Sequence, residues 1–249
     1  MPRQPRIELE DGIHHVWQRG NNRRRMFVDA SDRRLFLRLL DRAANKHEWN
    51  PLAYCLMDNH FHLVLETPTC TLGVGMRDLA GHYAQLFNER HETGGGHLFQ
   101  ARFKSKPVTT DEQFAQLLRY VAYNPVKAGM CSRPEEWPWS SHGALARMRR
   151  NALVKPDRVA SLLASFDDDP DKRYARLFEA DGPLSHIAPN VSPWDLRPSL
   201  VELLNGRDLS DAVQAARAHG YRIEDIADHL RVHRTTLWRR VQRTGSVPV

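Results

Sequence analysis

Apolar and polar residues recur along this chain with two periods, and the switches between them outline its elements. From Pro51 to Glu66 the chain reads as an apolar β-hairpin, with a polar break at Asp58-Asn59 between its arms. Residues 12–20 (Gly-Ile-His-His-Val-Trp-Gln-Arg-Gly) look like a short strand ending in a turn, and Arg23-Arg24-Arg25 follow in a loop. Helical spacing begins at Arg33, where Leu35, Phe36, Leu39, Leu40 and Ala43 recur to about Lys46, with Ser31 as the expected N-cap. A second helix is predicted from about Leu72 to Glu89, with Leu72, Met76, Leu79, Tyr83, Leu86 and Phe87 on one face. Gly94-Gly95-Gly96 reads as a flexible loop and Leu98–Val108 as a strand. A third helix starts at Asp111 and carries Phe114, Leu117, Leu118 and Val121. Pro125 should end it near Asn124, because the residue before proline resists helical geometry.

The order β-α-β-β-α-β, followed by a helix, predicts an α+β fold: a ferredoxin-like antiparallel sheet with helices on one face. Its domain is expected to span residues 1–145. Beyond Trp137-Pro138-Trp139-Ser140-Ser141 the character changes. Residues 143–165 look helical, Asp167–Asp171 form an acidic break, and Pro183 to Pro198 is proline-rich, so residues 146–198 read as a helical and proline-rich linker. Residues 199–249 form a second, all-α unit: Ile223–Leu230, a short turn, then Arg234–Val241 read as helix, turn, helix. Ile226, Leu230, Val232, Leu237 and Val241 are spaced for a small core, and Ala227 permits close helix crossing. This resembles the helix-turn-helix of bacterial DNA-binding proteins, which would turn Arg234, Thr235, Trp238 and Arg239 toward duplex DNA. Arg231 stands where a turn glycine is usual.

Composition narrows the partner rather than the fold. A chain of 249 residues with 41% apolar residues can bury a full core. No run approaches the roughly 20 apolar residues of a membrane span, and the N-terminal Met1-Pro2-Arg3 stretch lacks a signal-peptide core. Cys55, Cys70 and Cys131 form no disulfide framework, which points to a reducing cytoplasm. The net charge of +6 favours a polyanionic partner.

The hairpin holds the candidate chemistry. Alternate strand residues share a face, so His60 and His62 lie together while Phe61, Leu63 and Leu65 face the core. Two imidazoles about 7 Å apart along a strand can converge on one divalent cation, though a His-x-His pair is also compatible with half-buried, hydrogen-bonded histidines. On the third helix Tyr120 and Asn124 are four apart and share a face, whereas Tyr123 points roughly 60° away. An amide at Asn124 could complete a site begun by the imidazoles. A phenol, with a pKa of about 10, attacks a phosphodiester only if charge is drawn from the phosphorus, which Mg²⁺ or Mn²⁺ would do.

Met57-Asp58-Asn59-His60-Phe61-His62-Leu63-Val64, Phe99-Gln100-Ala101-Arg102-Phe103-Lys104-Ser105, Tyr120-x-x-x-Asn124-Pro125-Val126-Lys127-Ala128-Gly129 and Trp139-Ser140-Ser141 follow in that order. Together they resemble the single-tyrosine HUH transposases, specifically the REP-associated tyrosine transposases, over about residues 10–143. The resemblance implies a metal-dependent endonuclease and strand transferase acting on single-stranded hairpin DNA of the repetitive extragenic palindrome (REP) kind. His60, His62 and Asn124 would be metal ligands. Tyr120 would be the nucleophile, leaving a 5′-phosphotyrosine and a free 3′-OH. Asp58 replaces a common proline and Ala101 a common glycine.

Arg19, Asn21, Arg23, Arg24, Arg25, Arg102 and Lys104 are candidate phosphate contacts, any of which could instead be solvated basic surface. His14 and His15 are set aside as ligands because neighbours on a strand face opposite ways. Glu66 is on the histidine face but farther along. A non-catalytic DNA-binding regulator working through the C-terminal helices is the alternative. A fused replication initiator is disfavoured because the chain has no Gly-x-x-x-x-Gly-Lys phosphate loop.

Overall fold

Period-two sequence builds the centre of the molecule. In this computed structural model, which describes residues 10–93, 95–149, 151–184, 186, 200–204, 208–218, 221, 223–230 and 232–244, four strands form one sheet. They are β1 (Gly12–Arg19), β2 (Asn50–Leu56), β3 (His60–Thr67) and β4 (Lys104–Val108), in the order β2-β3-β1-β4 with every neighbouring pair antiparallel. Helices α1 (Ala30–Lys46) and α2 (Leu72–Arg90) are the two crossovers, and α3 (Asp111–Lys127) follows β4. The arrangement is α+β, with the strand order of a ferredoxin-like sheet.

Helices α1 and α2 cover one face. Phe61 of β3 meets Phe36 of α1 at 4.8 Å between ring centroids, and Phe36 meets Tyr83 of α2 at 5.1 Å. Phe61, Leu63 and Leu65 are fully buried on that side. Helix α3 does not join them. Its Tyr120 packs on the histidine face, so helices cover both sides of the sheet rather than one.

Several boundaries differ from the pattern-based expectation, each for a local reason. Asp29, not Ser31, caps α1: its carboxylate accepts from the Ser31 and Asp32 amides at 2.7 and 3.1 Å, and Asp32 reaches back to the Asp29 amide. Leu86 of α2 is 37% exposed and lies outside the buried stripe. Only Lys104–Val108 of the expected 98–108 strand pairs continuously, with one isolated bridge at Phe99–Gly20. Pro107 is tolerated because β4 is an edge strand.

Pro125 lies inside α3 rather than ending it at Asn124. It falls in the last turn, so only two helical residues follow it. The stop comes from Gly129 at φ +68°, with Met130 N–H donating to Pro125 O and Gly129 N–H to Val126 O, both at 2.9 Å.

Past α3 the chain does not form one long helix. It makes α4 (His142–Leu145), α5 (Pro156–Leu162) and α6 (Arg173–Arg176). The break follows from Asn151, whose side-chain oxygen takes the Leu153 and Val154 amides, and from Pro156 opening the next helix. Residues Trp139 to Ser141 line the outer edge of β2, with Leu56 N–H donating to Trp139 O and Ser141 N–H to Tyr54 O. Most of the proline-rich stretch lies outside the described residues.

Residues 192–249 form a separate compact unit. It contains α7 (Leu200–Leu204), α8 (Leu209–Ala218), α9 (Ile223–His229) and α10 (Arg234–Thr244). Leu203, Val213, Ala216, Ile226, Ala227 and Leu237 make its core, flanked by Leu230, Val232 and Val241. Arg231, at the turn, is outside the described residues. Among the described residues no helix is long and apolar enough to cross a membrane.

Asp58 ties the β2–β3 turn to the arginine loop. Its carbonyl accepts from Met26 and Phe27, and its carboxylate pairs with Arg25 at 3.0 Å and with the buried Arg33. The Arg33 guanidinium also lies over the rings of Phe27, Trp137 and Trp139 at 5.5–5.7 Å. We predict that Asp58→Ala, by leaving Arg33 buried without its carboxylate, costs about 2 kcal/mol in urea unfolding. An unchanged midpoint would show that the aromatic rings alone satisfy Arg33.

Candidate active site

Register between β1 and β3 assembles the site. Trp17 lies opposite His62 and Arg19 opposite His60, so His15, Trp17 and Arg19 share the histidine face. Across the other edge Lys104 lies opposite Trp17 and Lys106 opposite His15. The Tyr120 ring then closes over this face from α3, 5.5 Å from His62 and 6.1 Å from His15 between centroids. His60 and His62 are 5.2 Å apart and nearly perpendicular. Asn124, buried one turn beyond Tyr120, donates through Nδ2 to the Tyr120 carbonyl at 2.7 Å and also hydrogen bonds the His60 imidazole.

His15 belongs to this cluster, contrary to the expectation that set it aside. Neighbours on a strand do face opposite ways: His14 is buried toward α1 and α2, while His15 is buried against His62. His15 Nε2 and His62 Nδ1 are 2.9 Å apart, and their rings stack at 5.1 Å. His15 also stacks on Trp17 at 4.7 Å. Lys106 was missed as well. The available signal was its spacing two residues after Lys104 on the same strand face.

Burial holds the imidazoles neutral. It is the main cause that lowers His60 to about 4, helped by the Arg19 charge and opposed by the Asn124 hydrogen bond. His15 is pushed down to about 3 by burial and then by Lys106. His62 lies well below the ordinary imidazole range, through burial first and then its neighbours His15, His60 and Arg19. Neutral imidazoles present lone pairs, which a divalent cation requires. Nδ1 of His62 meets His15, and Nδ1 of His60 meets Asn59 Oδ1 at 2.7 Å, while the His60 ring also hydrogen bonds Asn124. Together with the Asn124 amide oxygen, the two imidazoles are donors of the kind that a divalent cation would take. Among the described residues no cluster of three or more His, Cys, Asp or Glu has metal-binding geometry. Glu66 is occupied elsewhere, accepting from Asn50 at 3.1 Å and pairing with Arg158.

The remaining candidates divide. Arg19 is exposed beside the histidines, and Lys104 and Arg102 are exposed at the start of β4. Asn21, Arg23 and Arg24 lie in a tight turn in which Asn22 and Arg23 have φ of 49° and 59°. Asn59 Nδ2 donates to the Arg23 carbonyl at 3.2 Å and Arg24 donates to the His97 carbonyl at 3.2 Å. Gly20 is required at this turn because a Cβ there would collide with the Arg24 carbonyl. Arg25 is engaged with Asp58. Tyr123 turns away from the histidines and stacks on Phe178 at 6.0 Å. Ala101 is not in the left-handed region, so a glycine is not needed there; its carbonyl accepts from Gln18 at 2.9 Å. In the C-terminal unit Trp238 is 51% exposed, Thr235 and Arg239 are exposed, and Arg234 pairs with Glu224 at 3.5 Å.

A small antiparallel sheet gathers two histidines, a tyrosine and an amide on one face, and known proteins resemble the segment that carries them. Residues 10–124 match the model of the family described as Transposase IS200 like. A Haemophilus influenzae protein, named as a REP-associated tyrosine transposase, is 26% identical over 105 residues, covering 38% of this chain and 60% of that relative. Among solved structures, a REP-associated tyrosine transposase bound to a REP hairpin has the same fold, with a TM-score of 0.52 and 18% identity over 61% of this chain and 90% of the other.

Neutral, buried imidazoles make the fold acid-sensitive. A histidine whose folded pKa lies below its unfolded value of about 6.5 binds protons more readily when unfolded, so its contribution is complete above that pH and is lost on acidification. His60 and His15 set the window from about 6.5 down to about 4 and about 3 respectively. Stability in denaturant titrations should therefore fall steadily as pH drops below about 6.5, and less steeply in His15→Gln. Imidazole NMR titrations with ordinary midpoints for both rings would contradict this.

Proposed function

We propose that the chain is a single-stranded DNA endonuclease and strand transferase that acts at or beside REP-like hairpins. The observation that carries the reading is the packing of the Tyr120 ring against the His15–His62 pair, one helical turn from Asn124. Tyr120 is the nucleophile. As its phenolic oxygen bonds to phosphorus its proton is released, the bond from phosphorus to the 3′ oxygen breaks, and that oxygen takes up a proton to leave as a free hydroxyl. The 5′ side stays attached as a phosphotyrosine, which preserves a phosphodiester-like bond for rejoining. His60, His62 and Asn124 hold Mg²⁺ or Mn²⁺, which when bound draws charge from the phosphate and fixes its orientation. Arg19, exposed beside the histidines, supplies a cation for the same phosphate.

Asn21, Arg23, Arg24, Arg25, Arg102 and Lys104 extend positive charge from this face toward a folded strand. Arg24 and Arg25 already have protein partners, so Arg19, Arg102 and Lys104 carry more of the phosphate contact. In the C-terminal unit α10 is the element suited to a major groove, through Thr235, Trp238 and Arg239, with Arg234 shared with Glu224. A purely regulatory DNA binder has no use for a tyrosine packed against paired neutral imidazoles, and that reading is not favoured.

Incubation with single-stranded hairpin oligonucleotides and Mn²⁺ should yield a protein–DNA adduct that survives denaturation. Tyr120→Phe should abolish it and Tyr123→Phe should not. His60→Ala should lower cleavage at least a hundredfold while hairpin affinity changes little. An adduct that persists in Tyr120→Phe would sink the assignment.

A further inference from the structure

The ring that the strand pattern leaves out of the ligand set is built into the site from behind. We propose that His15 is a positioning residue: it accepts the Nδ1–H of His62, fixes that ring as the Nδ1–H tautomer, and so directs Nε2 to the cation. This rests on the reading of His60 and His62 as ligands.

Three features carry the inference. First, the contact is direct, at 2.9 Å between His15 Nε2 and His62 Nδ1, and both rings are buried, so water does not compete for it. Second, a ligand imidazole must keep one nitrogen unprotonated, and the partner of its other nitrogen decides which one. His60 has such a partner in Asn59 Oδ1; His62, enclosed by protein, has His15. Third, His15 is itself held, stacked on Trp17 at 4.7 Å and on His62 at 5.1 Å, with the Tyr120 ring edge-on at 6.1 Å. One side chain therefore backs both the ligand and the nucleophile, and their separation follows from its size as well as its hydrogen bond. Its location on β1 makes that support part of the sheet register rather than of a mobile loop.

The test is Mn²⁺ binding by calorimetry on the full chain without DNA, together with nitrogen NMR of the His62 ring. Wild type should show His62 as the Nδ1–H tautomer. His15→Phe, which keeps a ring but has no acceptor, should weaken Mn²⁺ binding about tenfold or more. His15→Gln, whose amide can stand in for Nε2, should recover most of it. Two results overturn the proposal alone: His62 protonated at Nε2 in wild type, or wild-type affinity in His15→Phe while His60→Ala binds poorly. Wild-type affinity in His60→Ala would bring down the ligand reading and this inference together. Should His15→Phe fail to fold, the wild-type tautomer and His15→Gln still decide it.

Discussion

Pairing between β1 and β3 is the constraint on which the rest depends. Side chains alternate across a strand, so a slip of one residue would send His15, Trp17 and Arg19 to the core face and bring His14, Val16 and Gln18 to the site. The register is held from the opposite side. Phe61, Leu63 and Leu65 are fully buried beneath α1 and α2, and a slip would present polar rings to that layer. The hydrophobic layer thus determines the chemistry of the other face without containing any of it. The turn after β1 adds a second lock, since Gly20 N–H donates to Asn59 O at 2.8 Å and Asn21 N–H to Leu98 O at 2.8 Å.

Local periodicity made much of this legible. The hairpin alternation places His60 and His62 together, and helical spacing places Tyr120 with Asn124, because both patterns depend only on near neighbours in the chain. His15 was hidden for the opposite reason. It meets His62 across 47 residues, and only strand order and register make them neighbours. The stop of α3 was misplaced because proline is a strong local signal, whereas its cost depends on position within the helix. Near the last turn Gly129 overrides it. Which side of the sheet α3 takes was equally beyond pattern, since its own amphipathic face does not say which layer it will cover.

Polar motifs in the sequence turn out to have two kinds of work. Trp139, Ser140 and Ser141 read as part of a functional signature, yet their backbone closes the edge of β2, and the Ser141 hydroxyl accepts the Tyr54 amide at 3.0 Å. Asp58 departs from the usual pattern and is a structural tie, holding Arg33 within a box of aromatic rings. In both cases the residues act by holding β2 or the β2–β3 turn, next to the strand that carries the histidines.

The segment from α4 to Leu184 lies beyond the family match, but α3 leans on it. Arg119 donates to the Leu184 carbonyl, Tyr123 stacks on Phe178, and Asp111 accepts from Ser165 at 2.9 Å. Val159, Leu163, Tyr174, Leu177 and Leu184 are all buried. The helix that bears the tyrosine is thus gripped along its length by a later stretch of polypeptide. The segment matched to known proteins is therefore shorter than the stretch of polypeptide that packs against the tyrosine helix.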